Sequence, residues 1–240
     1  EEKVKKRVER VSELKDLIPP FLGNTKHFFS YQFQEGSVAA KSNNPYQVLK
    51  LLNWASEKLW TAREDVTDSN FAATCKTFYV EKTLRRVDEF LTTRGVKDVT
   101  VNINGQLTPP LAILLPKVID SLLSDNVQTR IHGDFILDNI IETLTDFIII
   151  DWRQDFGGLL HSGDLYYDLA KLNHSLYVSH DVIEEGHFTI RENTNEVVCH
   201  LLRKNTLVEM KPIFDSWIRE QGYSVNKVNL LTAIIWLNMS

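Results

Sequence analysis

Sulfur is scarce in this chain. Its two cysteines, Cys75 and Cys199, lie far apart and lack metal-ligand spacing, so neither a disulfide framework nor a zinc site is expected, and a reducing cytoplasmic setting is expected instead. Long apolar runs are missing as well. Stretches such as Phe147 to Ile150 and Leu111 to Leu115 fall far short of the roughly 20 residues a membrane-spanning helix needs. No basic-then-apolar leader opens the sequence, so membrane insertion is not expected. Nor does either sign of charge dominate: a net charge of -5 and a pI near 5.8 remove any general electrostatic reason for nucleic acid or an anionic membrane to bind. The basic group Lys3, Lys5, Lys6 and Arg7 reads as a solvated helix face. Internal repeats and low-complexity tracts are lacking. His161, His174, His180 and His187 follow no HExxH-type spacing, which argues against a histidine metal centre.

What is present is ordinary globular material. With 43% hydrophobic and 25% charged residues over 240 positions, the chain suffices for one large domain or two unequal lobes. It enters at once into helical periodicity, with Val4, Val8, Val11, Leu14 and Ile18 on one face, and closes on the apolar residues 230–240, so a piece of a longer protein is expected. The first helix should run from Glu2 to Leu17 and stop before Pro19-Pro20, because a proline disfavours helix in the residue ahead of it. Phe28 to Phe33 alternates as a strand does, and Glu35-Gly36 punctuates it before Val38. Helices are expected from Pro45 through Leu59, from Asn70 to Leu91, and from Pro110 to Leu123 with a kink at Pro116. Between Thr129 and Asp151 the pattern becomes strand, polar turn, strand. After Asp164 it returns to helices, broken by a loop or short hairpin between His180 and Asn195.

The chemistry concentrates in Ile131-His132-Gly133-Asp134-Phe135-Ile136-Leu137-Asp138-Asn139 and in Ile148-Ile149-Ile150-Asp151-Trp152. Phosphoryl transfer asks little covalent help of a protein. It needs a carboxylate to orient and deprotonate the attacking hydroxyl, and oxygen ligands for the magnesium ions on the phosphates. An Asp in a turn, an Asn further along and a second Asp at the end of the next strand supply those groups at one end of a small hairpin.

These residues, together with Gly163-Asp164-Leu165-Tyr166-Tyr167-Asp168-Leu169-Ala170, resemble the three signatures of the aminoglycoside phosphotransferase and choline kinase family, relatives of the protein kinases. The resemblance implies an α+β, protein-kinase-like fold. Residues 1–42 would be the remnant of a small β-containing lobe and its hinge, and 43–240 the mainly helical large lobe. It implies that Asp134 is the catalytic base, that Asn139 and Asp151 bind Mg2+, that His132 and Asp168 brace the catalytic loop, and that Asp164 lies near the substrate. The backbone of Gln34 and Glu35 would meet the adenine of ATP or another nucleoside triphosphate. Glu9 or Glu13 would be the partner of a nucleotide-holding lysine on strands upstream of Glu1, within a further N-terminal domain. Lys41 falls after the adenine site and is not that lysine.

Blander readings stand beside these. An isolated His-Gly-Asp is usually just a turn, and only its spacing to Asn139 and Asp151 raises it. Asp138 reads as a solvated loop residue. Asp155-Phe156-Gly157 spells the protein-kinase metal triplet, but Asp151, not Asp155, ends an apolar strand, so the triplet is read as coincidence. Trp54, Trp60, Trp217 and Trp236 sit in apolar helical patterns and read as packing residues. The expected function is an ATP- and Mg2+-dependent phosphotransferase acting on a hydroxyl of a small molecule: a sugar, an aminoglycoside or an amino alcohol, with cell-surface polysaccharide assembly as a setting. The alternative is a non-catalytic kinase-like binding or regulatory module of a larger protein.

Overall fold

The computed structural model describes residues 1–193 and 195–239. The opening helix is split: α1 (Glu2–Glu9) and α2 (Val11–Leu14) meet at Arg10, whose side chain turns inward and is 3% exposed. The helix also ends earlier than its periodicity predicts, because the carbonyl of Leu17 leaves the helical ladder to accept the N–H of Ile149 at 2.8 Å. Strand β1 (Phe21–Asn24), not anticipated across Gly23, pairs antiparallel with β2 (Phe29–Tyr31), which is shorter than the predicted Phe28 to Phe33. Strand β3 (Ser37–Val38) follows.

Helix α3 (Gln47–Trp54) widens into a π-turn over Ala55–Leu59. Helix α4 (Asp68–Lys76), its Asn70 N–H accepted by the Thr67 hydroxyl at 3.4 Å, passes through a second π segment, Thr77–Glu81, into α5 (Lys82–Arg94). Gly95 ends α5 in the left-handed conformation. Strands β4 (Val101–Ile103) and β5 (Gln106–Thr108) form a tight hairpin on Asn104-Gly105, both at positive φ. Helix α6 (Leu111–Leu123) carries Pro116 and is capped by the Asp98 carboxylate, which accepts the N–H groups of Leu111 and Ala112 at 2.8 and 2.9 Å.

Then come β6 (Gln128–Thr129), β7 (Ile140–Glu142), β8 (Phe147–Ile149) and β9 (Gly163–Asp164). β3, β7 and β8 form one antiparallel sheet with Val38 opposite Ile141 and Ile140 opposite Ile149, while β6 pairs with β9. Gly36 lets β3 come close: a Cβ there would lie 2.5 Å from the Glu142 carbonyl oxygen. Helix α7 (Leu165–Tyr177) is the most enclosed element, and α8 (His180–Glu184) leads to the hairpin of β10 (Phe188–Asn193) and β11 (Glu196–Leu201). β11 also runs parallel to β4, joining the two hairpins in the order β10-β11-β4-β5. Helices α9 (Asn205–Glu220) and α10 (Val225–Leu237) complete the chain.

The molecule is thus mixed α+β with several small sheets. One core runs through it: Leu14, Leu17, Ile18 and Ala39 from the first segment pack in the same apolar cluster as Phe135, Trp152, Leu169 and Phe214. Burial of these apolar faces is the main force holding the early residues against the later ones. No described helix is long and apolar enough to cross a membrane.

Candidate functional site

The loop from Ile131 to Asn139 is held from beneath. Asp168, in the first turn of α7 and fully buried, accepts the backbone N–H groups of His132 and Gly133 at 2.7 Å each, and the Trp60 indole N–H at 3.1 Å. Arg10 fills in from the other side, donating to the carbonyls of Ile131, His132 and Arg153. Burial pushes the Asp168 carboxyl up to about 6, against the pull of its three donors and of Arg10, so it is ionised at neutral pH. The same burial lowers Arg10 to about 10, which leaves its guanidinium charged. An anion and a cation, both buried and both spent on loop backbone, fix that loop far more rigidly than its sequence of turn residues would.

His132 is a strut within the loop. Its Nε2 lies 2.8 Å from the Ile150 carbonyl and its Nδ1 3.1 Å from the Asp134 N–H. The backbone N–H must donate, so Nδ1 accepts and Nε2 carries the ring proton. Full burial lowers this imidazole to about 4, so it is neutral under ordinary conditions. Gly133 is required twice over: its φ is +86°, and a Cβ would lie 2.6 Å from the Arg153 Cβ.

Asp134 points outward, 37% exposed, and its Oδ1 meets Lys171 Nζ at 2.8 Å. Burial works against its ionisation, but Lys171, His132 and Arg153 outweigh it and hold the carboxyl below the usual range. Asn139 donates its side-chain N–H to the Asp134 carbonyl at 2.9 Å, and a longer contact of 3.4 Å reaches Asp134 Oδ2. The Ile150 N–H donates to the Asn139 carbonyl at 2.9 Å. That bond sets Asn139 beside the end of β8, one residue before Asp151. Asp151 is exposed, takes the left-handed conformation with φ of +56°, and forms no ion pair or side-chain hydrogen bond among the described residues. A non-glycine residue held there without a local partner is strained. Burial and the negative charge of Asp151 together raise the Tyr31 phenol, which lies against Trp152 with ring centroids 6.3 Å apart.

The donor set suits magnesium in kind. Asn139 spends its N–H groups on Asp134, so Oδ1 has no hydrogen bond among the described residues, and Asp151 adds an unpaired carboxylate. Mg2+ takes oxygen ligands, and often only one or two from protein, with water and phosphate completing its shell. No cluster of three acidic, histidine or cysteine side chains occurs among the described residues, so a metal held wholly by protein is not the fit here.

The remaining predicted residues fall as follows. Gln34 and Glu35 sit just before β3, with the Gln34 side chain donating to the Glu35 carbonyl at 3.1 Å, and thus lie along the edge of the sheet that carries Asn139 and Asp151. Asp164, expected near a substrate, is instead wholly interior. Its carboxylate caps α7, accepting Tyr79 Oη–H at 2.9 Å, the Val127 N–H at 3.0 Å and the Tyr166 N–H at 3.3 Å, with Lys227 Nζ 3.6 Å away. A buried carboxylate has to be compensated in this way, and no face of it is left for a ligand. Glu13 pairs with Arg63, with His161 at 3.7 Å, and Glu9 is an exposed partner of Lys5. Asp155 pairs with Lys6 at 3.0 Å, and Phe156 is core, stacked 4.4 Å from Phe78.

Three site residues escaped the sequence reading: Lys171, Arg10 and Trp60. Lys171 had a readable signal, since it lies three positions after Asp168 and therefore shares its helix face. Arg10 and Trp60 act through contacts far along the chain and had none. Compared with protein-family models and with curated proteins, the chain matches none.

Proposed function

We propose that the chain is the catalytic part of a phosphotransferase that moves the terminal phosphoryl group of ATP, or another nucleoside triphosphate, to a hydroxyl of a small molecule. The observation that carries this reading is the joint placement of Asp134, Asn139 and Asp151, one carboxylate braced and paired with a lysine, the other strained and unpaired. In the reaction the acceptor oxygen bonds to the terminal phosphorus, the bond from that phosphorus to the bridging oxygen breaks, the nucleoside diphosphate departs, and the hydroxyl proton passes to Asp134. Lys171 keeps Asp134 ionised and ready to accept it. Asn139 anchors the Asp134 backbone, so the base is positioned before substrate arrives. Asn139 and Asp151 would hold Mg2+, whose contribution is to neutralise charge building on the transferred group. His132, Asp168 and Arg10 act on none of the reacting atoms and fix the loop.

Coupled turnover of the full chain with a panel of hydroxyl acceptors tests the reading. Asp134→Asn should lower kcat by several orders of magnitude while leaving the nucleotide bound. Calorimetry should show nucleotide binding that depends on magnesium. Binding that ignores the metal, or an Asp134→Asn protein with near-normal turnover, would leave a non-catalytic binding or regulatory module as the better reading.

A further inference from the structure

Beside Asp134 lies a small cavity of about 90 Å³ lined by four cationic side chains, Lys82, Arg86, Arg153 and Lys171, with Asn238 and the rings of Phe78, Tyr79 and Tyr167 also among its walls. Among the described residues no acidic one lines it. Lys171 is shared between the cavity and Asp134, so the two are contiguous. The other three cations form no ion pair among the described residues. Lys82 Nζ sits 3.8 Å from the Phe78 ring centroid, and the Arg153 guanidinium 5.1 Å from the same centroid and 5.9 Å from that of Tyr167. An aromatic face steadies a cation but does not neutralise it. The Arg86 guanidinium is tied to the Asn238 carbonyl, which orients it without cancelling its charge.

Three unpaired positive groups on one half-enclosed cavity repel each other, and the lysine records it. Burial first, then Arg153, Arg86, Lys171 and Arg85, lower Lys82 to about 7. An anion in the cavity would remove that conflict, and the arginines offer planar N–H donors suited to phosphate or carboxylate oxygens. The volume is right for such a group and far below that of a whole small-molecule site.

Resting on the phosphotransferase reading, we infer that this cavity is an anion subsite for the acceptor, so that the molecule phosphorylated beside Asp134 is a hydroxyl compound already bearing a phosphate or carboxylate, such as a sugar phosphate or sugar acid. Of the acceptor classes the sequence left open, the polycationic aminoglycosides and the amino alcohols are then excluded by repulsion, and the sugars remain in acidic form.

Inorganic phosphate is the probe. Titrated into the full chain at pH 6.5 by calorimetry, without magnesium or nucleotide, it should bind saturably, and Lys82→Met and Arg86→Gln should each weaken it about tenfold or more. Arg86 is exposed and Lys82 partly so, and a melting curve of each variant checks that the fold is kept. Phosphate binding that neither folded variant weakens overturns the subsite. A second titration, with saturating magnesium and a non-hydrolysable ATP analogue, separates acceptor from nucleotide. Unchanged phosphate affinity favours the acceptor side, whereas competition assigns the cations to the nucleotide's own phosphates and overturns the inference. Failure of the analogue to bind at all strikes the phosphotransferase reading alone, since the first titration stands without it.

Discussion

Lys171 Nζ lies 2.8 Å from Asp134 Oδ1, and the lysine side chain is only 15% exposed. Partial shielding makes this pair stronger than an ordinary surface salt bridge, because less water competes for either charge. Burial alone would raise Asp134; Lys171 is the largest of the influences that lower it. Lys171→Met should therefore raise the Asp134 carboxyl and move the acidic limb of the kcat/KM profile to higher pH, with a loss of about tenfold to a hundredfold at neutral pH. A merely structural lysine would lower the plateau without moving the limb, so the pH profile distinguishes the two.

The brace beneath the loop makes a different prediction. Asp168→Asn keeps the shape but offers one good acceptor oxygen where the carboxylate satisfies three donors, and it removes the carboxylate that most favours the charged form of the buried Arg10. Leaving buried N–H donors poorly satisfied costs about 1–3 kcal/mol each, roughly 3 kcal/mol together. For a chain of 240 residues that corresponds to a fall in Tm of roughly 6–12 °C. Calorimetric melting of the variant checks it; an unchanged Tm would mean that Asp168 does not hold the loop.

Which parts of this arrangement could be read from residues alone follows from the range of the forces involved. Helices α3, α6 and α7 and the strand pair β7–β8 were legible because their burial pattern is local and periodic. The break at Arg10 was not, since it arises from carbonyls of residues 131, 132 and 153 that enter the helix's surroundings only after folding. The β4–β5 hairpin carried a local signal in Asn104-Gly105 that its short flanking strands obscured. At the site, spacing pointed to Asp134, Asn139 and Asp151, and hydrogen bonds set Asn139 against Asp134 and against Ile150, the neighbour of Asp151. It misplaced Asp164, because a sequence does not say whether a carboxylate near a motif faces solvent or the Tyr79 hydroxyl and Lys227.

Acid should destabilise the fold over a definable window. His132 and His174 are both buried and both lowered to about 4, His174 lying against Trp236 with no hydrogen bond to either ring nitrogen among the described residues. An unfolded imidazole titrates near 6.5, so between about 6.5 and 4 the unfolded chain binds more protons and stability is lost as pH falls. Asp168, raised to about 6, and Asp164, also raised by its burial, act with the opposite sign. Asp134, Asp146 and Asp181, held below the usual carboxylate range, act with the histidines as pH falls further, so the net slope is a loss. Urea midpoints measured from pH 7 to pH 4.5 should decline steadily, and His174→Gln should flatten the decline; midpoints that stay level would contradict the neutral burial of both rings.

Asp151 allows stability and function to be separated. Its carboxylate makes no ion pair or hydrogen bond among the described residues, and its backbone is held at a φ of +56° that most side chains resist. Asparagine tolerates the left-handed region better than most residues, so Asp151→Asn should change stability by less than about 0.5 kcal/mol, as at a position without native partners. The same substitution removes the charge proposed to hold magnesium and should weaken metal-dependent nucleotide binding at least tenfold in calorimetry. A residue kept in place for the fold would show the reverse, with lost stability and intact binding. If Asp151→Asn lowers Tm by several degrees while nucleotide affinity stays the same, the strained carboxylate is a structural element and the metal assignment fails with it.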